Sequence, residues 1–194
     1  MLENNLLPYD GQVIYYGKIL QTEETHHFFT QLMNHIPWKA DEAFIYGKHI
    51  FTKRKVAWFG DAAYAYEYSR TTRVALQWTP SLLNLKSIVE SHCKTTYNSC
   101  LLNLYHHGEE GMTWHQDDEK TMAKNGSIAS LSLGAERLFK FKHTKSKETI
   151  NINLETGSLL EMKGETQSHW WHALPKSKKV KEPRINLTFR NFIS

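Results

Sequence analysis

At 194 residues, with 40% hydrophobic and 23% charged residues, the chain can bury one sizeable core and is short for two, so a single domain over 1–194 is expected. The net charge of +4 permits an anionic partner without requiring one, and the lack of any apolar run of about 20 residues excludes a membrane-spanning helix. Met1 to Tyr9 lacks the basic start and apolar run of a signal peptide, and Cys93 and Cys100 call for neither a disulfide nor a zinc site; the chain reads as cytosolic, or nuclear in a eukaryote.

Gln12 to Leu20 holds Val13, Ile14, Tyr15 and Tyr16 between Gly11 and Gly17, which predicts a short strand. Thr22 offers an N-cap, with Glu23 and Glu24 where a helix start favours negative charge. Phe28, Phe29, Leu32, Met33 and Ile36 follow at helical spacing until Pro37 stops the run. From Ala43 to Arg73 aromatic and basic residues interleave: Phe44, Tyr46, Gly47, Lys48, then Lys53, Arg54, Lys55, then Trp58 and Phe59. Aromatic faces stack on bases and cations neutralise phosphates, so this region suits nucleic-acid recognition; a pair of half-buried strands with basic outer faces reads equally well. Tyr64, Tyr66 and Tyr68 alternate, and a strand would place all three on one face. Thr79 and Pro80 open a second helix that carries Leu82, Leu85, Ile88, Val89 and His92 on one side and ends near Cys93.

Chemistry accumulates in the second half. Along 100–106, Leu102 and Leu104 share one face while Asn103 and Tyr105 share the other. His115 and Asp117 are two apart, so an extended segment puts both on one side, and with a distant third histidine they form a set that holds non-haem iron(II) by one face. His169 and His172 both offer that third ligand, but residues three apart cannot both face one side of a regular strand, so at most one completes the set. Alternation continues along 127–133 and 137–142, and the runs 150–154 and 158–162 straddle Glu155, Thr156 and Gly157, a hairpin signal. So many short strands after two helices predict an antiparallel sandwich or barrel with helices on one outer face. Along 184–190, Arg184, Asn186, Thr188 and Arg190 share a face opposite Ile185, Leu187 and Phe189. That face reads either as solvated or as the cation forks and neutral donors that a dicarboxylate needs.

Four motifs in this order, Asn103-x-Tyr105, His115-x-Asp117-Asp118, the run from His169 to Pro175, and Arg184-x-Asn186-Leu187-Thr188-Phe189-Arg190, resemble the AlkB family of iron(II) and 2-oxoglutarate dependent dioxygenases, most of all its members that demethylate damaged bases in duplex DNA. The resemblance implies an α+β fold, a double-stranded β-helix (jelly-roll) core with helices packed on one outer face. It implies His115, Asp117 and His172 as catalytic iron ligands, choosing His172 because that ligand immediately precedes an element matched here by Ala173, Leu174 and Pro175. Asn103, Tyr105, Arg184, Asn186, Thr188 and Arg190 match the 2-oxoglutarate positions. Tyr46 and Gly47 match an intercalating finger, Tyr66 and Tyr68 the base pocket, and Asp118 a residue that reads the damaged base, all but Asp118 within a nucleotide-recognition region at about 43–73. Lys176, Lys178, Lys179 and Lys181 match a phosphate-contacting loop, which otherwise reads as a solvated charge run or a nuclear localisation signal. The implied activity is direct DNA repair by a monomer: Fe(II), 2-oxoglutarate and O2 demethylate 1-methyladenine and 3-methylcytosine, releasing formaldehyde, succinate and CO2. RNA demethylation, protein hydroxylation and a non-catalytic nucleic-acid-binding module are the alternatives.

Overall fold

The computed structural model describes residues 5–45, 48–68 and 71–193, with the side chains of 42–51 and 66–73 outside that description. In chain order the strands are β1 (Gln12–Lys18), β2 (Lys39–Ile45), β3 (Lys48–Gly60), β4 (Ala65–Tyr68), β5 (Thr71–Val74), β6 (Leu76–Gln77), β7 (Ser99–Tyr105), β8 (Met112–His115), β9 (Ile128–Gly134), β10 (Arg137–His143), β11 (Thr149–Leu154), β12 (Ser158–Lys163), β13 (Trp170–Leu174) and β14 (Arg184–Arg190). The helices are α1 (Thr22–His35), α2 (Pro80–Cys93) and the single turn α3 (Thr166–His169).

Local chemistry sets the helix ends. Thr79 caps α2, its hydroxyl accepting from the Leu82 N–H at 3.3 Å, and Pro80 occupies the first helical position, where a missing N–H costs nothing. In α1 the cap is Gln21 rather than Thr22, because Glu24 reaches back to accept from the Gln21 N–H at 2.9 Å, and Thr22 becomes the first helical residue.

Three layers follow. A large sheet runs β1-β12-β9-β14-β7-β3-β2, antiparallel throughout, with β6 parallel on β3; a smaller antiparallel sheet runs β11-β10-β13-β8. Both long helices lie against the large sheet, burying Phe28, Leu32, Leu82, Leu85 and Val89 on Leu131, Leu133, Ile185, Leu187 and Phe189. Each such side chain contributes about 1.5–3 kcal/mol on burial. A second apolar cluster, Val13, Tyr105, Phe139, Phe141, Leu160, Met162, Trp170 and Leu174, brings together residues of both sheets. The strand alternation therefore sorts helix-facing residues from residues that face the smaller sheet.

Two further expectations change. The segments around Glu155–Gly157 are not a hairpin: β11 pairs with β10 in the smaller sheet, whereas β12 pairs with β1 and β9 in the large one. Gly157, at φ +75°, makes the crossing, and its N–H donates to Ser132 O at 2.7 Å. Turn chemistry predicts a reversal but not which sheet receives the next strand. Tyr64 leaves the expected row of three tyrosines, because it precedes β4 and packs on Phe192, with ring centres 4.9 Å apart.

Candidate metal and cosubstrate site

β13 lies beside β8 with His172 directly opposite His115, so two imidazoles distant in sequence meet with ring centres 4.2 Å apart. Asp117 follows His115 by two residues, just past the end of β8, and is 8% exposed. Its Oδ1 lies 3.8 Å from His115 Nε2 and its Oδ2 4.0 Å from His172 Nε2. The Asp117 N–H donates to Gln167 Oε1 at 2.9 Å, which pins the turn.

Protonation suits a ligand set. His115 Nδ1 lies 2.8 Å from the Thr113 carbonyl oxygen; a carbonyl only accepts, so Nδ1 carries the hydrogen and Nε2 presents a lone pair to the site. Burial pushes His172 down to about 3, so its imidazole is neutral near pH 7. Burial alone would raise the Asp117 carboxyl, but Arg190, His172 and His115 outweigh it and hold it below the ordinary carboxylate range. Arg190 Nη2 donates to Asp117 Oδ2 at 2.8 Å. Two imidazole nitrogens and one carboxylate, with donor atoms within 4.8 Å of one another, fit a borderline-soft divalent ion such as iron(II) and leave coordination positions open.

The second wall comes from β14, which sits between β7 and β9 in the large sheet. All seven of its residues are buried, including the two arginines, so the polar face is not a solvated one. Arg184 Nη2 donates to Ser132 Oγ at 2.9 Å and to Asn186 Oδ1 at 2.7 Å, and Asn186 Nδ2 donates to Thr188 Oγ1 at 2.9 Å. Burial pulls the Arg184 guanidinium down to about 10, and its Nε has no hydrogen-bond partner among the described residues. A buried cation with an unused donor is the chemistry that a carboxylate satisfies. Asn103, Tyr105, Arg184, Asn186, Thr188 and Arg190 line one cavity of about 280 Å³ with His115, Asp117 and His172.

A second cluster, Asp10, His143 and His169, has similar composition but the opposite hydrogen-bonding pattern at His143. The Ser146 N–H donates to His143 Nδ1 at 3.0 Å, so the hydrogen of the neutral ring resides on Nε2, 3.2 Å from Asp10 Oδ2. In that tautomer His143 has no free lone pair to offer a metal. The cluster instead ties down the N-terminal segment, where Trp170 Nε1 donates to Tyr9 O at 3.0 Å and the Tyr9 hydroxyl donates to Glu148 at 2.7 Å. His169 belongs to this anchor, and of the two histidines His172 alone joins His115 and Asp117.

The remaining expected residues are placed unevenly. Asp118 is exposed and lines a neighbouring cavity that shares Asp117, not the cavity that holds the histidines. Lys178 and Lys179 are exposed on the loop after β13. That loop is held close to Gly108, whose N–H donates to Val180 O at 2.9 Å and whose carbonyl accepts from the Ser177 N–H at 2.7 Å; a Cβ at Gly108 would lie 2.2 Å from Ser177 O. Tyr46 and Gly47 lie outside the described residues, as do the side chains of Tyr66 and Tyr68 on β4. Sequence reading missed Ser130 and Ser132, although their alternation with Ala129, Leu131 and Leu133 places them on the polar face. It also missed Arg137, 2% exposed, whose Nη2 donates to the carbonyls of Gly108, Glu110 and Pro175 at 3.2, 2.8 and 2.9 Å and joins the loops on either side of the site. No local pattern marks that arginine.

Known proteins are similar to this chain. Alpha-ketoglutarate-dependent dioxygenase alkB homolog 3 of Bos taurus is 35% identical over 181 residues, covering 87% of this chain and 62% of that protein. DNA oxidative demethylase ALKBH2 of Bos taurus is 38% identical over 157 residues, covering 77% of this chain and 56% of that protein. The chain thus spans about 62% and 56% of the length of these relatives. The solved structure of OsALKBH1 shares the fold, with a TM-score of 0.63 at 15% identity over 92% of this chain and 97% of that one. The sequence model of the 2OG-Fe(II) oxygenase superfamily matches residues 12–190, a span that contains every proposed ligand and cosubstrate residue, and the chain belongs to the AlkB family within that superfamily.

Proposed function

We propose that the chain is an oxidative demethylase of N-alkylated bases, of the 1-methyladenine and 3-methylcytosine type, in DNA, acting as a monomer. The observation that carries this reading is the single cavity where His115, Asp117 and His172 face the buried Arg184–Asn186–Thr188–Arg190 strand face. The relative named as a DNA oxidative demethylase supports the substrate class. We read the two facing sheets as a double-stranded β-helix, and 43–73 as the nucleotide-recognition region.

When bound, iron(II) with 2-oxoglutarate and O2 supplies an oxidant that hydroxylates the N-methyl carbon: one oxygen atom ends in succinate, CO2 leaves, and the other departs in formaldehyde as the base regains its ring nitrogen. The chain's own residues prepare that event. Thr113 fixes the tautomer of His115, Arg190 orients the Asp117 carboxylate, and Arg184 with Asn186 and Thr188 offers charge and neutral donors to a dicarboxylate. A methylated Watson–Crick nitrogen cannot pair, so such a base leaves the stack at reduced cost, and the lysines at 176–181 would hold the backbone.

The test is incubation with Fe(II), 2-oxoglutarate and methylated DNA and RNA oligonucleotides, single-stranded and duplex, following loss of each methyl group. Formaldehyde and succinate released in equal amounts with methylated DNA is the expected result. Turnover confined to RNA or to peptides, or no stimulation by any methylated oligonucleotide, would refute the proposal.

A further inference from the structure

One buried charge pair in the cavity belongs neither to the ligand set nor to the cosubstrate face. Asp41 on β2, 6% exposed, and Arg54 on β3 line the same cavity as His115, Asp117 and His172. They sit at an irregularity in the β2–β3 ladder, where Ala40 pairs with Lys55 but Glu42 pairs with Phe51, leaving Asp41 opposite extra residues on β3. Irregularities of this kind re-aim side chains and recur beside active sites. Arg54 Nη2 donates to Asp41 Oδ2, Nη1 donates to Met112 Sδ at 2.8 Å, and the guanidinium carbon lies 5.9 Å from the centre of the Tyr105 ring.

Stability alone is a weak reason for such a pair. Well-packed apolar residues of similar volume serve a buried position as well or better, because two desolvated charges recover little net energy from each other. Its position on the cavity wall points to what enters. Methylation at N1 of adenine or N3 of cytosine gives a base that is cationic near pH 7, whereas methylation at N1 of guanine or N3 of thymine gives a neutral one. An uncompensated guanidinium on this wall would repel the cationic bases and leave the neutral ones unaffected.

We propose that Asp41 is a specificity-determining residue: by neutralising Arg54 on the cavity wall, it admits cationic methylated bases in preference to neutral ones. This rests on the demethylase reading above. The ratio of kcat/KM for 3-methylcytosine to that for 3-methylthymine, in otherwise identical single-stranded oligonucleotides, falls at least tenfold in Asp41→Asn. It rises in Arg54→Met, which removes the cation and keeps the carboxylate, and returns to within about threefold of the unaltered protein in the double variant. The opposite signs of the two single variants separate charge from packing, and Arg54→Met carries the test if Asp41→Asn does not fold. The same ratios are read as Kd values with cobalt(II) and 2-oxoglutarate in the absence of O2, so a protein that binds these bases without turning them over refutes the demethylase reading and not this one. An unchanged ratio in Asp41→Asn, or a shift of the same sign in both single variants, overturns the proposal.

Discussion

Asp117 and Arg190 form a buried ion pair inside the ligand set, and that pair sets the cost of removing the metal carboxylate. Their side chains are 8% and 10% exposed and meet at 2.8 Å. Asp117→Ala leaves the guanidinium without its carboxylate in a low-dielectric site; Glu119, half exposed and 4.0 Å away, is a poor substitute. Breaking such a pair by removing one partner costs about 3–5 kcal/mol, and for a chain of this size each kcal/mol lowers the melting temperature by about 2–4 °C, so a drop of roughly 6–20 °C is expected. That lies within the stability of about 5–15 kcal/mol typical of a domain, so the variant stays folded at 25 °C while its 2-oxoglutarate turnover is abolished. Melting all four proteins of the cycle, Asp117→Ala, Arg190→Met, the double variant and the parent, isolates the coupling: the double variant melts above either single one. Cobalt(II) titration in the same samples shows metal affinity lost wherever Asp117 is absent. Strictly additive melting shifts, or cobalt affinity unchanged in Asp117→Ala, would refute the reasoning.

Cobalt(II) titration of the parent protein saturates at one equivalent, and His143→Ala leaves that stoichiometry unchanged; a second equivalent lost with His143 would show that Asp10, His143 and His169 bind metal after all. Lys178→Ala and Lys179→Ala weaken oligonucleotide binding across sequences and each reduces the slope of log Kd against log salt by about 0.7–0.9 if its lysine contacts a phosphate; an unchanged slope makes the loop a solvated charge run. Tyr46→Ala lowers demethylation of duplex DNA more than of single-stranded DNA, since a stacking ring is needed only where a gap opens in a duplex. Equal losses on the two substrates would count against a finger.

Much of this protein was legible from spacing alone. The period of two along 184–190 separated Arg184, Asn186, Thr188 and Arg190 from Ile185, Leu187 and Phe189, and the structure keeps that division, with the apolar set under the helices and the polar set in the cavity. Thr79 with Pro80 marked a helix start for a local reason, because a cap is satisfied within one turn. The Gln21 cap was missed because Glu24 reaching back competes with a hydroxyl at Thr22, and preferences for residue types do not rank the two.

Other features belong to contacts between distant segments. Spacing left His169 and His172 as rivals and the family resemblance favoured His172; the β8–β13 register supplies the physical reason by setting His172 opposite His115 while His169 turns to the N-terminal anchor. Periodicity of the segments around Glu155–Gly157 is identical whether they form one hairpin or cross between sheets, so only pairing with β1, β9 and β10 decides it. Asp41 and Arg54 carry no local signature, since an ion pair across an irregular ladder depends on register. The sequence by itself therefore determined which residue types could hold iron and a dicarboxylate and which faces they shared, because those follow from local geometry. Tertiary structure alone decided which face was buried and which charges meet inside the cavity, because burial and these partners are set by pairing between separate strands.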